Sequence, residues 1–336
     1  MDEQTPLLVT RDAQDLIESP MPPALWIIEG FIIVGFILLC GSPKVGKSWF
    51  ALELAICVST GKPFLDHATA KCEVLYLAME DTFSRIQQRL FHLVDEIEPT
   101  LHFAICAEKI KAGLLDQLEA FLAEHPKTRL IIIDTLQTVR MSNSQNSIYA
   151  SDYADTGILK SFADKHNIAI VAIHHTRKFS DESNIFNTIS GSNGLMGAAD
   201  TTMVLSKSNY FDGKATLSLT GRDVDMAEFK LSFRDCHWSL IEQTSIEELR
   251  EREIPGCVLS VIDFMASRAG NWEGTSSALL IEASIEDTSP NALPKYLNEH
   301  RDYLEERGVR YARKKTSSAR LILLAKIAPQ IDFVEH

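Results

Sequence analysis

The sequence predicts an α/β protein with a mostly parallel sheet covered by helices on both faces, followed by a smaller C-terminal domain. Three observations predict it. Between Trp26 and Ser206, short and nearly continuous Val/Ile/Leu runs alternate with helical stretches, the pattern of buried parallel strands joined by crossover helices. A glycine-bearing turn, GSPKVGKS at 41–48, stands where one such run ends and a helix begins. After Thr201 the rhythm changes to strands joined by short turns, then to helices and a basic hairpin.

Residues 1–24 are a polar lead-in carrying Pro20, Pro22 and Pro23. Parallel strands are expected at 26–28, 36–40, 73–79, 103–106, 130–134, 168–173 and 202–206. Helices are expected at 47–59, 82–97, 114–124 and 148–166. The apolar run 31–40 is too short to span a bilayer; with Gly35 inside it and Glu29 just before, it reads as a strand pair. Stretches 215–220, 228–233 and 238–241 look like antiparallel additions to the sheet edge. An acidic helical stretch at 245–253 stops before Pro255 and suits a linker. Helices follow at 257–266, 276–283 and 289–306. The last opens with Ser289 as N-cap and Pro290 at the first helical position. Strands at 309–313 and 321–325 complete the pattern. The expected divisions are a lead-in (1–24), a large α/β domain (25–244), a linker (245–256) and a small terminal domain (257–336).

Bulk numbers narrow the class. The 336 residues are 45% hydrophobic and 24% charged, ordinary values for a globular chain. Six cysteines stand singly with no C-x-x-C pair, which reads as small buried hydrophobes rather than a zinc or disulfide framework. The N-terminus is acidic and polar, unlike a signal peptide, so a cytoplasmic protein without membrane contact is expected. A net charge of −13 disfavours coating of nucleic acid by charge alone. The distribution is uneven: residues 293–326 hold nine Lys/Arg against four Asp/Glu, so any nucleic-acid contact should be local.

The turn at 41–48 matches G-x-x-x-x-G-K-S, a phosphate-binding loop. A bound triphosphate needs converging backbone N–H groups, which Gly41, Ser42, Pro43, Lys44, Val45 and Gly46 would frame, with the following helix N-terminus and Trp49 beside them. Lys47 is placed to reach the β- and γ-phosphates of ATP, and the Ser48 hydroxyl to coordinate Mg²⁺. A second strand, RLIIID, ends at Asp134, whose carboxylate can hold Mg²⁺ through water. A third, VLYLAME, puts Glu80 and Asp81 at its carboxyl end, where ligands of open α/β sheets bind. Glu80 is the better candidate for the base that polarises the attacking water; Asp81 is the alternative, and both could instead cap the next helix.

The succession of the phosphate loop, LYLAMED, LIIIDT, IVAIHHTRK, ISGSNGLMGAADT and LTGRD resembles the RepA-type replicative DNA helicases of plasmids and mobile elements, over roughly residues 24–233. These are hexameric RecA-like P-loop ATPases related to the DnaB helicases. The resemblance implies a RecA-like P-loop NTPase core, with Glu80 as catalytic glutamate and Asp134 as the acidic Walker B residue. It also implies His175 as a γ-phosphate sensor and Arg222 as an arginine finger reaching a neighbouring subunit's nucleotide. Which of His174 and His175 faces the nucleotide depends on strand register. The resemblance places DNA contacts in the segment after His175, with Arg177 and Lys178, although Asp181 and Glu182 weaken its pull on phosphates. It further implies a homohexamer acting on single-stranded DNA; a primase or initiator protein enters only as a partner that the tail could dock.

The tail resembles a winged-helix module, with Arg310, Arg313, Lys314, Lys315 and Arg320 as the candidate DNA-binding wing. Glu299, Asp302, Glu305 and Glu306 on the preceding helix oppose groove reading, so docking of a protein partner is the alternative. Function therefore stands among an ATP-driven DNA helicase, a non-translocating RecA-like switch or recombination ATPase, and a sequence-specific regulator with a vestigial ATPase.

Overall fold

The computed structural model describes residues 10–20, 23–141, 148–176, 185–189, 193–207, 212–316 and 320–327. The chain divides into two compact units, Met1–Ser245 and Ile246–His336.

In the first unit a short helix, α1 (Ala13–Glu18), is capped by the Asp12 side chain, which accepts from the Asp15 amide. Then come β1 (Trp26–Ile28), β2 (Ile32–Ile33), β3 (Gly35–Gly41), α2 (Lys47–Thr60), β4 (Glu73–Ala78), α3 (Phe83–Leu93), β5 (Leu101–Ala104), α4 (Leu115–Glu124), β6 (Thr128–Asp134), α5 (Leu136–Val139) and α6 (Ile148–His166). The unit closes with β7 (Ala169–His175), a 3₁₀ turn at Ile185–Thr188, α7 (Asn193–Ala198), β8 (Thr201–Ser206), β9 (Lys214–Gly221), β10 (Ala227–Arg234) and β11 (His237–Thr244).

Nine strands form one sheet in the order β11-β10-β9-β8-β3-β7-β6-β4-β5. The pairings from β8 through β5 are parallel. The β8-β9, β9-β10 and β10-β11 pairings are antiparallel. This is an α/β RecA-like core with a large, mostly parallel sheet, as the alternation of runs and helices predicts. Its two faces are visible in β3 itself. Ile37 and Leu39 join the core layer that contains Phe50 and Leu54 of α2, while Phe36, Leu38 and Cys40 join the layer containing Leu159 and Phe162 of α6. Period-2 alternation on a strand buried from both sides produces this division.

Several expected bounds change. The helix expected at 82–97 ends at Leu93, because Val94 turns extended (φ −148°, ψ 146°). The strand pair expected within 31–40 is not a pair: β2 pairs with β1, and β3 leaves through Gly35 (φ 129°) into the large sheet. A side chain at Gly35 would meet Asp200 Oδ2 at 2.6 Å, so glycine is required there. The cysteines are all unbridged, but only Cys40 and Cys257 are buried and Cys106 is exposed. No helix among the described residues is long and apolar enough to cross a membrane.

The second unit holds α8 (Ile246–Glu253), α9 (Gly256–Ser267), β12 (Trp272–Thr275), α10 (Ser276–Glu282), α11 (Leu293–Glu299), α12 (Arg301–Glu306), β13 (Val309–Lys315) and β14 (Arg320–Lys326). Its three strands form an antiparallel sheet in the order β12-β14-β13. Cys257, Val261, Met265, Leu297, Leu304 and Tyr311 share its core. The single helix expected at 289–306 is two. Ser289 Oγ does accept from the Ala292 amide at 3.3 Å, but that turn precedes the helix, which starts at Leu293. His300 (φ −106°, ψ 31°) then separates α11 from α12. Strand β12 had no counterpart in the sequence reading; Glu273 and Gly274 inside it hide its β character.

Candidate active site

The carboxyl ends of β3, β4, β6 and β7 open into a cleft of about 450 Å³, lined by Lys44, Lys47, Ser48, Glu80, Asp134 and His175, with Pro43, Gly46, Trp49, Arg89, Thr135 and Ile173 around them. Its floor is the turn between β3 and α2. Lys44 (φ 64°) and Gly46 (φ 109°) take left-handed conformations that wrap the backbone around the start of α2. A Cβ on Gly46 would meet the Trp238 ring at 2.7 Å, so both the conformation and the close approach exclude a side chain. Trp238 is held in place from α2, because the Glu53 carboxylate accepts from the Trp238 amide at 2.8 Å. Gly41 ends β3 against the Leu205 carbonyl, and Val45 is buried in the core. Gly41, Ser42 and Val45 therefore shape the turn without lining the cleft.

Lys47 is only 6% exposed. Its ammonium donates to the carbonyls of Gly41 (2.7 Å) and Ser42 (3.0 Å) and stands 3.4 Å from His175 Nδ1. Burial lowers its pKa, opposed by the nearby carboxylates of Asp134 and Glu80. An ammonium can only donate, so His175 Nδ1 accepts, leaving Nε2–H as the donor of that ring. Burial, then the Lys47 charge, lower the His175 pKa and favour the neutral imidazole. His174 pairs with Cys40 and is buried in the sheet, whereas His175 pairs with Gly41 and faces the cleft.

Asp134 ends β6, 8% exposed. Burial raises its pKa, and hydrogen bonds from Ser48 and from the Tyr76 hydroxyl (2.9 Å to Oδ2) counteract part of that rise. The Ser48 hydroxyl and the Asp134 carboxylate thus form a touching pair of hard oxygen donors, a set that suits Mg²⁺.

Glu80 and Asp81 separate in space. Glu80 lines the cleft and accepts from the Thr135 hydroxyl at 3.1 Å. Asp81 is engaged by Arg85 (3.0 Å) and Arg89 (2.6 Å) of α3. The sequence reading missed Tyr76, Thr135 and Arg89. Arg89 also lies 5.5 Å over the Trp49 ring, at the cleft rim. The spacing of Asp81, Arg85 and Arg89 at i, i+4 and i+8 is the one signal that could have flagged it.

Arg222 is not in this cleft. It follows β9, whose last residue, Gly221, pairs with Thr201 at the start of β8. That end of the sheet is separated from the phosphate loop by the length of β3, about 20 Å. There Arg222 is 57% exposed, donates to the Gly197 carbonyl at 3.0 Å and stands 3.9 Å from Asp200. Asp200 is buried and accepts from Lys160 (2.5 Å) and the Phe36 amide (3.0 Å). Arg177 and Lys178 lie outside the described residues, and Phe186, further along the same segment, is buried. In the second unit Arg310, Arg313, Lys314 and Lys315 on β13 and Arg320 on β14 are all exposed. Arg313 faces Ile322 and Lys315 faces Arg320 across the hairpin.

A phosphate loop, a buried acidic strand end and a neighbouring glutamate on a RecA-like sheet together define a P-loop ATPase. The sequence profile of the family described as AAA domain matches residues 3–181, more than half of the chain, and the chain belongs to that family. It is similar to the Replicative DNA helicase DnaB of Rickettsia prowazekii (strain Madrid E), at 25% identity over 215 residues covering 54% of this chain and 44% of that protein. The same-named protein of Rickettsia typhi (strain ATCC VR-144 / Wilmington) matches equally, at 25% over 215 residues, with 43% of it covered. The chain thus spans less than half the length of these curated relatives. Among solved structures, one described as an ATPase domain superposes with a TM-score of 0.52 at 15% identity, covering 62% of this chain and 85% of that one. Another, described as a DnaB-like replicative helicase and its interactions with primase, gives 0.52 at 16% identity, covering 62% and 57%. At these identities the likeness concerns the fold.

Proposed function

We propose that this protein is a ring-forming, ATP-driven DNA helicase of the RepA type, acting in the replication of a plasmid, phage or integrated mobile element. The observation that carries this reading is the division of labour along the sheet. Lys47, Ser48, Glu80, Asp134 and His175 converge in one cleft, whereas the exposed Arg222 stands at the far end, where it has no route to that cleft. An arginine so placed would serve a second protomer's nucleotide rather than its own, as in a ring motor.

In the cleft, ATP phosphates would replace the Gly41 and Ser42 carbonyls as partners of the Lys47 ammonium, alongside the loop amides. Ser48 and Asp134 would hold Mg²⁺, which when bound neutralises charge on the β- and γ-phosphate oxygens. Glu80, oriented by the Thr135 hydroxyl, accepts a proton from the water that attacks the γ-phosphorus as ADP leaves. His175 Nε2–H donates to a γ-phosphate oxygen and, through Nδ1, carries that contact back to Lys47. Single-stranded DNA would pass through the ring, contacted by Arg177 and Lys178. The second unit would act as a winged helix on DNA, or as the dock for a primase or initiator protein.

Strand displacement with ATP at low salt tests this. The wild-type protein should separate a forked duplex, and Lys47→Ala should abolish it. Glu80→Gln should bind ATP normally while turnover falls about 10²- to 10⁴-fold. Hydrolysis without any strand separation would replace the motor with a non-translocating switch.

A further inference from the structure

We propose that Glu73, His102 and His125 form a binding site for a divalent transition-metal ion of the zinc class, at the end of the sheet opposite the phosphate loop. Glu73 begins β4, His102 is on the neighbouring β5, and His125 follows the last turn of α4. Because His102 sits opposite Leu75 in the parallel ladder, its side chain and that of Glu73 emerge on the same face of the sheet, the face that α4 covers. One donor atom from each residue lies within 4.8 Å of the others.

Four further features mark the cluster as built for a ligand. Glu73 Oε2 and His102 Nε2 are shielded from solvent and have no hydrogen-bond partner among the described residues. Glu73 Oε2 stands 3.4 Å from His125 Nδ1, near enough for attraction. The two imidazoles lie 4.2 Å apart, and Phe121 stacks on His125 at 4.4 Å, which restricts both rings. The backbones that carry the ligands are fixed: the Glu73 amide donates to Lys127 O and the Thr128 amide to His125 O.

Buried polar atoms are seldom left unpaired, and a cation supplies what these two lack. A tetrahedral zinc ion, with ligand atoms at about 2.0–2.2 Å, would draw the three donors inward by small side-chain rotations. Two imidazoles and one carboxylate suit zinc, cobalt or nickel better than magnesium or calcium. Three protein ligands leave a fourth position for water. The ion would tie edge strand β5, through β4, to the end of α4. The competing reading is a Glu73–His125 ion pair with stacked rings, which needs no metal.

The test titrates ZnCl₂ and CoCl₂ into tag-free, EDTA-treated full-length protein. Expected are one tight equivalent of Zn²⁺, a rise in the thermal midpoint, and the intense visible bands of tetrahedral Co²⁺. His102→Gln and His125→Gln should each weaken that equivalent at least tenfold, and Glu73→Gln likewise, with ATP binding unchanged. In the wild-type protein, NMR signals of both imidazoles should shift on adding zinc, a readout that stands even if a variant fails to fold. No binding, binding that survives all three substitutions, or an equivalent lost only in Asp134→Asn, which would place it at the nucleotide site, overturns the proposal.

Discussion

His175 shows how one side chain couples the cleft to solution conditions. Its ring is partly buried beside an ammonium, so its pKa in the folded protein lies below the ordinary 6.5. Between that lowered value and 6.5 the unfolded chain binds more protons than the folded one, and stability therefore rises with pH across this window. His175→Gln should flatten part of that rise, as read from urea unfolding at several pH values between about 5 and 7.5. An unchanged slope would mean that this imidazole titrates alike in the folded and the unfolded chain. Asp134 has the opposite sense. Its pKa is raised by burial, so its ionisation opposes folding at neutral pH and the penalty fades as pH falls through its folded value. A carboxylate that carries such a cost fits the proposed Mg²⁺ role, since perturbed pKa values cluster at functional sites.

At the scale of elements, the β13-β14 hairpin concentrates positive charge on a short exposed ribbon. The acids ahead of it are partly engaged: Glu299 lies 3.8 Å from Lys295, and Glu305 lies 3.7 Å from Arg301 and 3.8 Å from Arg310. Arg307 pairs with Glu251. The cations toward the hairpin tip, Arg313, Lys314 and Lys315, have no ion pair among the described residues, and the proposed DNA contact would fall on them. Replacing these three with alanine should weaken duplex DNA binding across sequences and reduce the salt dependence of log K by roughly one per lost phosphate contact. If affinity and salt slope both stay unchanged, the hairpin docks a protein instead.

For the molecule as a whole, both ends of the sheet carry polar side-chain clusters. The carboxyl ends of the parallel strands carry the phosphate cleft; the opposite end carries Arg222, the Lys160–Asp200 pair and the Glu73–His102–His125 cluster. An arginine finger acting between protomers predicts that Arg222→Ala binds ATP normally but loses about 10³-fold or more in turnover. Mixing that variant with Lys47→Ala should restore partial activity, because some interfaces then join an intact arginine to an intact phosphate loop. Normal turnover in Arg222→Ala, measured by steady-state phosphate release, would remove the subunit-crossing role.

The sequence alone determined the α/β class, the place of the phosphate loop and the acidic strand ends, because strand–turn–helix spacing and glycine demand are local properties. It favoured Glu80 over Asp81 and left open which of His174 and His175 faces the cleft. Adjacent residues point to opposite sides of a strand, so the β3-β7 register decides between the histidines, whereas Glu80 and Asp81 lie beyond the end of β4 and are separated by their contacts with Thr135 and with Arg85 and Arg89. Tyr76, Thr135 and Trp238 escaped notice for a related reason. Each reaches its partner across a strand pairing or from the sheet edge, at sequence separations that carry no periodic signal. The tertiary structure alone decided those contacts, as it decided the meeting of Glu73, His102 and His125, because long-range packing sets distances that chain order leaves open.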